Sequence, residues 1–212
     1  GRGPSGNGAR FDGRSYMEVA HSEAFASADL SISFWVYLLE DSTNTYRTIL
    51  RKAASASDMT PTLMLLPNDR RLHIRLSMAP DGTIGFDSTA LLPLRRWTHV
   101  ACVLKGGAAL SLYINGVKDC PIVGGNRHAV GCPPAGATYA WDEGAVRHND
   151  GPLYVGGDPY MAGTAMFLDQ LKIYSRALSE RNILVEAGDA FSPTDPLFVK
   201  LGCMRCTADA LQ

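Results

Sequence analysis

Six side chains with stacking or hydrogen-bonding chemistry fall inside one stretch that has neither helical nor strand periodicity. They are Tyr139, Trp141, Asp142, His148, Asn149 and Asp150, all between Cys120 and Gly151. Aromatic rings beside carboxylates and amides can stack on the apolar face of a sugar and bond its hydroxyls. The same two rings serve equally as anchors that tie a long connection to a packed core. Cys120 and Cys132 bracket the first part of the stretch, which holds Pro121, Gly124, Gly125 and Gly131 and no element of its own. Joined in a disulfide, they would close a loop of roughly a dozen residues and stabilise the fold by about 3 kcal/mol in the chain-entropy account.

Other constellations carry less chemistry. Cys203 and Cys206 form a C-x-x-C, but no βαβ pattern supports a thioredoxin-like redox motif. The scattered histidines offer no second pair at zinc-ligand spacing. The start of a Cys-rich module fits the C-x-x-C best, with half a zinc site and a vicinal disulfide as alternatives. His21 and Glu23 with this C-x-x-C mimic pieces of a zinc-deaminase pattern, yet the separation is far too long and no proline precedes Cys203. Gly1, Gly3 and Gly6 spell G-x-G-x-x-G, but no strand precedes them and no helix follows. There is no G-x-S-x-G and no H-E-x-x-H. Asp142 and Glu143 are adjacent and would point to opposite faces of a strand. Cys102 and His99 both sit in a strand, where an inert buried thiol and a satisfied structural imidazole are expected.

Strands must position all of this. In WTHVACVL (97–104), Thr98, Val100, Cys102 and Leu104 share one face, with His99, Ala101 and Val103 on the other. A glycine pair, Gly106-Gly107, lets the chain reverse, and ALSLYIN alternates again before Asn115-Gly116, a strong two-residue hairpin signal. The result is a three-stranded meander with one apolar face, which must pack on a second sheet. ARFDG and YMEV read as a strand pair joined through Asp12-Gly13. SISFWVYLL reads as a strand with Ile32, Phe34, Val36 and Leu38 one way and Trp35 and Tyr37 the other. TLMLL and RLHIRLS flank a turn at 67–70. AMFLDQLKIY is the last strand, and RALSERNILVEAG is a short helix with Ser179 as N-cap and Gly188 past its end. The predicted core includes Phe34, Val36, Trp97, Val100, Leu112, Ile114 and Ile173.

Composition agrees with an all-β antiparallel sandwich. Of 212 residues, 46% are hydrophobic and 19% charged, ample for one core. The net charge of −1, from 20 basic and 21 acidic residues, gives no footprint for nucleic acid or an anionic membrane. The longest apolar run, ISFWVYLL, is far short of a membrane span, so no direct membrane insertion is expected. The division is a sandwich domain over 1–190 and a Cys-containing tail over 191–212. The lack of an initiator Met and signal peptide, with an odd cysteine count, reads as a piece of a larger protein from an oxidising compartment.

W-T-H-V-x-x-V, a glycine turn and L-x-L-Y-I-N-G resemble the laminin-G-like, concanavalin A-like jelly-roll domains, a group that includes the pentraxins. RFDGRSYMEV with LSISFWVYL is similar to the opening strands of that family, and GPLYVGG with FLDQLKIYSRALS to its closing strands. Together they cover most of residues 8–180 in the expected order. The resemblance implies a jelly roll with one short C-terminal helix, and a lectin-like or adhesive role. The laminarinase-type members carry E-x-D-x-x-E on one strand, and no such triplet occurs here, so no catalysis is expected. Members often hold a structural Ca²⁺ where the opening segment meets the closing strand. That implies Asp169 as a ligand, with Asp12 as the nearest acidic residue of the opening segment. An Asx turn at Asp12 and a loop hydrogen bond at Asp169 are the alternatives. The pentraxin cluster of acids and amides is not matched. The expectation is a secreted or cell-surface recognition or adhesion module, its rim loops binding a glycan or protein ligand and its neighbours being other domains of the parent protein. The alternatives are a structural spacer domain and a degenerate glycoside hydrolase.

Overall fold

A computed structural model describes residues 2–4, 6–123 and 136–188. A small hairpin of β1 (Arg2–Gly3) and β2 (Gly6–Asn7) comes first. Then follow β3 (Ala9–Asp12), β4 (Met17–Val19), a 3-10 turn over Glu23–Ala26, β5 (Leu30–Leu38), β6 (Arg47–Lys52), β7 (Thr62–Leu65) and β8 (Arg71–Ser77). The second half supplies β9 (Thr83–Leu91), β10 (Trp97–Lys105), β11 (Ala109–Ile114), β12 (Val117–Lys118) and β13 (Pro121–Ile122). It ends with β14 (Tyr139–Ala140), β15 (Leu153–Val155), β16 (Ala165–Tyr174) and the helix α1 (Glu180–Glu186). Two seven-stranded antiparallel sheets result. The first has the order β12-β11-β10-β5-β16-β3, with β14 beside β11; the second has the order β13-β9-β8-β7-β6-β15-β4.

Alternation builds the core between them. Ile32, Phe34, Val36 and Leu38 face inward from β5, and Phe34 lies opposite Val100 of β10. From the second sheet, Leu50, Leu63, Ile74 and Phe86 form one inward row across β6, β7, β8 and β9. Each such side chain contributes roughly 1.5–3 kcal/mol by leaving water. Phe34, Val36, Val100 and Leu112 are buried as expected, while Ile114 and Ile173 pack half-buried against the margin of the core. Trp97 differs. It shares parity with His99, so it stands on the outer face of the first sheet, against Tyr37 at 5.6 Å.

Two strand expectations need correction. β3 and β4 do not pair with each other: β3 joins β16 in the first sheet and β4 joins β15 in the second. Asp12 redirects the chain between them, its Oδ1 accepting from the Arg14 and Ser15 amides and the Ser15 hydroxyl. β16 also does not alternate from end to end. Met166 and Leu168 face the core, a bulge follows Asp169, and Leu171 and Ile173 then face it instead. Gln170 sits in the bulge at φ 50°, and the extra residue shifts the phase of everything after it.

The helix begins at Ser179, whose hydroxyl accepts from the Asn182 amide in a capping box, as its sequence predicts. It lies on the outer face of the first sheet, where Leu178 and Ile183 pack on Ala101, Val103 and Tyr113 in a second, small apolar cluster. Glu186 fastens its last turn. The carboxylate accepts from Ser33 Oγ at 2.5 Å and from the Tyr174 hydroxyl, with Lys172 Nζ and His99 Nε2 each 3.9 Å away. The tail from 191, with its C-x-x-C, lies outside the described residues.

Candidate ligand-binding face

The six rim residues fall at two places on one end of the sandwich. Tyr139 pairs beside Leu110 and its ring meets Phe86 at 5.9 Å and Trp141 at 6.0 Å. Both rings pack against the core, and the Trp141 amide donates to the Ala108 carbonyl. They anchor the connection. From there the chain crosses to the second sheet, where the Arg147 amide donates to the Ser77 carbonyl and Asn149 reaches β6. Asn149 Nδ2 donates to the Lys52 carbonyl, and Lys52 Nζ, buried over the Phe25 ring, donates to the Asn149 and Gly151 carbonyls. Burial pushes the His148 imidazole pKa down, and the Lys52 charge adds to that. Asp142 and Asp150 are exposed. The segment therefore caps the end of the sandwich and does not converge on a single pocket. Cys120 is buried and disulfide-bonded; Cys132 lies outside the described residues. Cys102 is a buried free thiol whose pKa burial pushes up to about 12.

Asp12 and Asp169 are not brought together. Asp12 lies opposite Ala165 in the register that sets Ala9 opposite Leu168, so Asp169 is four positions further along, about 13 Å. Asp12 completes an Asx turn, and its three hydrogen bonds hold its pKa well below the usual carboxylate range. Asp169 lies opposite Trp35 on the outer face, before the bulge, and not with Leu171 and Ile173. Its Oδ1 accepts from the Gln170 amide, and the Gly3 backbone packs directly against the carboxylate. Among the described residues, no group of three or more His, Cys, Asp or Glu side chains is placed to hold a metal ion.

A different constellation does converge, on the outer face of the second sheet. Two rows of side chains cross that face. One runs Thr48, Met64, His73, Asp87, Ile122 over five strands, and the other Glu18, Tyr154, Arg51, Thr62, Arg75, Gly85 over six. Towards the β9 side the face opens into a cavity of about 270 Å³ lined by Tyr46, Leu66, Pro67, Asn68, Arg71, Asp87 and Ile122. Its polar wall is fixed in place. His73 Nδ1 donates to Asp87 Oδ1 at 2.6 Å, with the Arg75 guanidinium 3.6 Å from the same oxygen. The Tyr46 ring lies on His73 with centroids 4.9 Å apart, and Arg71 pairs with Asp69 at 2.6 Å. Asp87 Oδ2, the Tyr46 hydroxyl and the Asn68 amide bond no described side chain or backbone group. A ligand entering here meets an aromatic ring, a carboxylate acceptor, a guanidinium and a free amide.

The alternation of RLHIRLS places Arg71, His73 and Arg75 together on the outer face, and that much is written in the sequence. Their meeting with Tyr46 and Asp87 depends on the register of β6 through β9. No local signal sets it.

Two packed antiparallel sheets with a cavity on one outer face make this a lectin-like jelly-roll sandwich. Residues 11–184 match the family described as the concanavalin A-like lectin/glucanases superfamily, and the chain belongs to it. A comparison with curated proteins finds no match. Among solved structures, the chain is similar to domain 4 of AbnA, a GH43 extracellular arabinanase from Geobacillus stearothermophilus, in complex with arabinotriose. Identity is 21% and the TM-score 0.62, covering 88% of this chain and 79% of that one. It is also similar to the binding domain of Paraclostridial Mosquitocidal Protein 1, with 18% identity, a TM-score of 0.62, and 91% and 45% of the two chains covered. A third is a botulinum neurotoxin type C structure, whose cell entry is dependent upon interaction with two ganglioside molecules. It has 14% identity and a TM-score of 0.59, covering 84% and 40%. The chain thus spans less than half the length of these two toxin chains. At such identities the likeness is one of fold.

Proposed function

We propose that the chain is a non-catalytic glycan-recognition module of an extracellular or cell-surface protein, working beside other domains of that protein. The observation that carries this is the cavity on the outer face of the second sheet, where Tyr46 offers a ring for stacking and Asp87, Arg71 and Asn68 offer hydrogen bonds. The solved relatives that hold arabinotriose or depend on gangliosides share the fold and support the ligand class. Asp87 is the one carboxylate lining the cavity among the described residues, and its Oδ1 is already held by His73 and Arg75. Glycosidases place two carboxyl groups across the scissile bond; a single fixed acceptor suits binding. Sugar recognition thereby moves from the rim, where Tyr139 and Trp141 are anchors, to the sheet face.

A glycan array probed with the wild type and Tyr46→Ala is the test. Selective binding that Tyr46→Ala abolishes, with an unchanged melting curve, is the expected result. An empty array would leave a spacer domain, and turnover of any arrayed sugar would make the chain a hydrolase. A protein ligand in place of a glycan would show as capture that sugars do not compete.

A further inference from the structure

Resting on that reading, we infer that the cavity takes the terminal one or two residues of an uncharged glycan, end-on, in preference to an internal stretch of polysaccharide or an acidic sugar. Size is the first argument. A volume of about 270 Å³ lies just below the roughly 300–1,000 Å³ of pockets that enclose drug-sized ligands. One or two sugar rings are what it can surround.

The walls are the second argument. The rows that cross this face would give a polymer a path over the strands if they were open, but they close at β7, two strands and about 10 Å from Asp87. Met64 on β7 and Thr48 on β6 point away from the core and are nevertheless 2% and 0% exposed. Two segments lie across this part of the face. Residues 53–60 fold over Arg51, which donates to the Asp58 and Ala56 carbonyls. From the other side comes the segment around Asp158, whose Oδ2 accepts from Thr48 Oγ1 at 2.6 Å and whose Oδ1 accepts from the Tyr160 and Met161 amides. The Tyr160 ring then lies on Arg51 at 5.4 Å. A chain entering at Tyr46 meets this cover and must leave by the way it came.

Charge is the third argument. The two guanidiniums that reach the cavity wall each have a carboxylate, Arg71 with Asp69 and Arg75 with Asp87. Arg47 is sealed beneath, 1% exposed, and donates to the Asp41, Leu66 and Asp69 carbonyls. A ligand carboxylate or sulfate would stand beside Asp87 with no unpaired cation to meet it. A hydroxyl can donate to Asp87 Oδ2 and accept from Arg71 or Asn68, so vicinal hydroxyls match the wall without disturbing either pair.

The test is calorimetric titration of the wild-type chain with neutral arabino-, xylo-, cello- and malto-oligosaccharides from one to six residues long. Sialyllactose and digalacturonate serve as acidic probes. Affinity should rise from one to two residues and then stay within about twofold up to six, with little response to salt between about 50 and 500 mM. Asn68→Ala, at an exposed turn where it cannot threaten the fold, and Tyr46→Ala should each weaken binding at least tenfold. A tenfold or greater gain from the disaccharide to the hexasaccharide, or tighter binding of an acidic probe that salt removes, would overturn the inference and leave a glycan-binding module. Binding that neither variant touches, or no binding of any probe, would overturn both.

Discussion

His99 offers the sharpest quantitative test of the packing. It is 1% exposed on the outer face of the first sheet, beneath α1, with Trp35 edge-on at 5.4 Å and Glu186 and Lys172 as its charged neighbours. Burial pushes its pKa down from 6.5 to about 4, outweighing the opposing pull of Glu186. A depressed folded value means that the unfolded chain binds more protons between those limits. The stability that neutral His99 permits is therefore whole above about pH 6.5 and is lost as the pH falls towards 4. Between pH 7 and about pH 4.5 this one group should cost about 2 kcal/mol. Urea denaturation at both pH values, read by tryptophan fluorescence, measures the loss. Glu186 is also held below its ordinary carboxylate range by Ser33 and Tyr174 and loses stability in the same direction, so the wild-type curve alone does not isolate the imidazole. His99→Gln does: it should start less stable at pH 7 but lose about 2 kcal/mol less on acidification. If the wild type and His99→Gln lose the same amount, the buried neutral imidazole is wrong.

Leu112, 1% exposed in the core, should cost about 2–5 kcal/mol on replacement by alanine; a loss below about half a kcal/mol in the same urea assay would contradict its place there. Gln170→Gly should leave the protein as stable or slightly more so, whereas Gln170→Val should cost about 1–2 kcal/mol, because φ 50° crowds a branched Cβ. Equal melting temperatures for the two would remove the bulge. Non-reducing peptide mapping should find Cys120 joined to Cys132, and a Cys120–Cys203 or Cys120–Cys206 peptide would refute that pairing.

How far the sequence was legible depended on whether a signal was local. Alternation in β5 and β10, the Asn115-Gly116 turn at φ 50° and 78°, and the Ser179 cap are each written within a few residues, and the structure reproduces them. The phase change in β16 was not legible, because the residue with positive φ is a glutamine and no glycine marks the place. Strict alternation through AMFLDQLKIY would set Asp169 on the core face with Leu171 and Ile173; the bulge leaves it on the outer face, opposite Trp35. Trp97 was counted with the apolar alternation of its strand, although its parity with His99 assigns it outward. Separate sheets for β3 and β4 follow from what Asp12 does to the chain, and a two-strand hairpin reads the same in one dimension. The rim aromatics drew attention through composition alone. Tyr46, just before β6, and Asp87, in β9, meet only through three-dimensional register.

The attachment of both described ends has a mechanical corollary. α1 is clasped to the back of the first sheet through Glu186, and the N-terminal hairpin lies on that same side, with Gly3 against Asp169 and Gly8 against the Trp97 ring. The cavity opens from the opposite side of the molecule. A tether at either of these ends would pull from behind, and its load would pass through the thickness of the sandwich to reach the cavity wall. In such a mounting the mouth of the cavity would face away from the tether, with the second sheet's outer face left free.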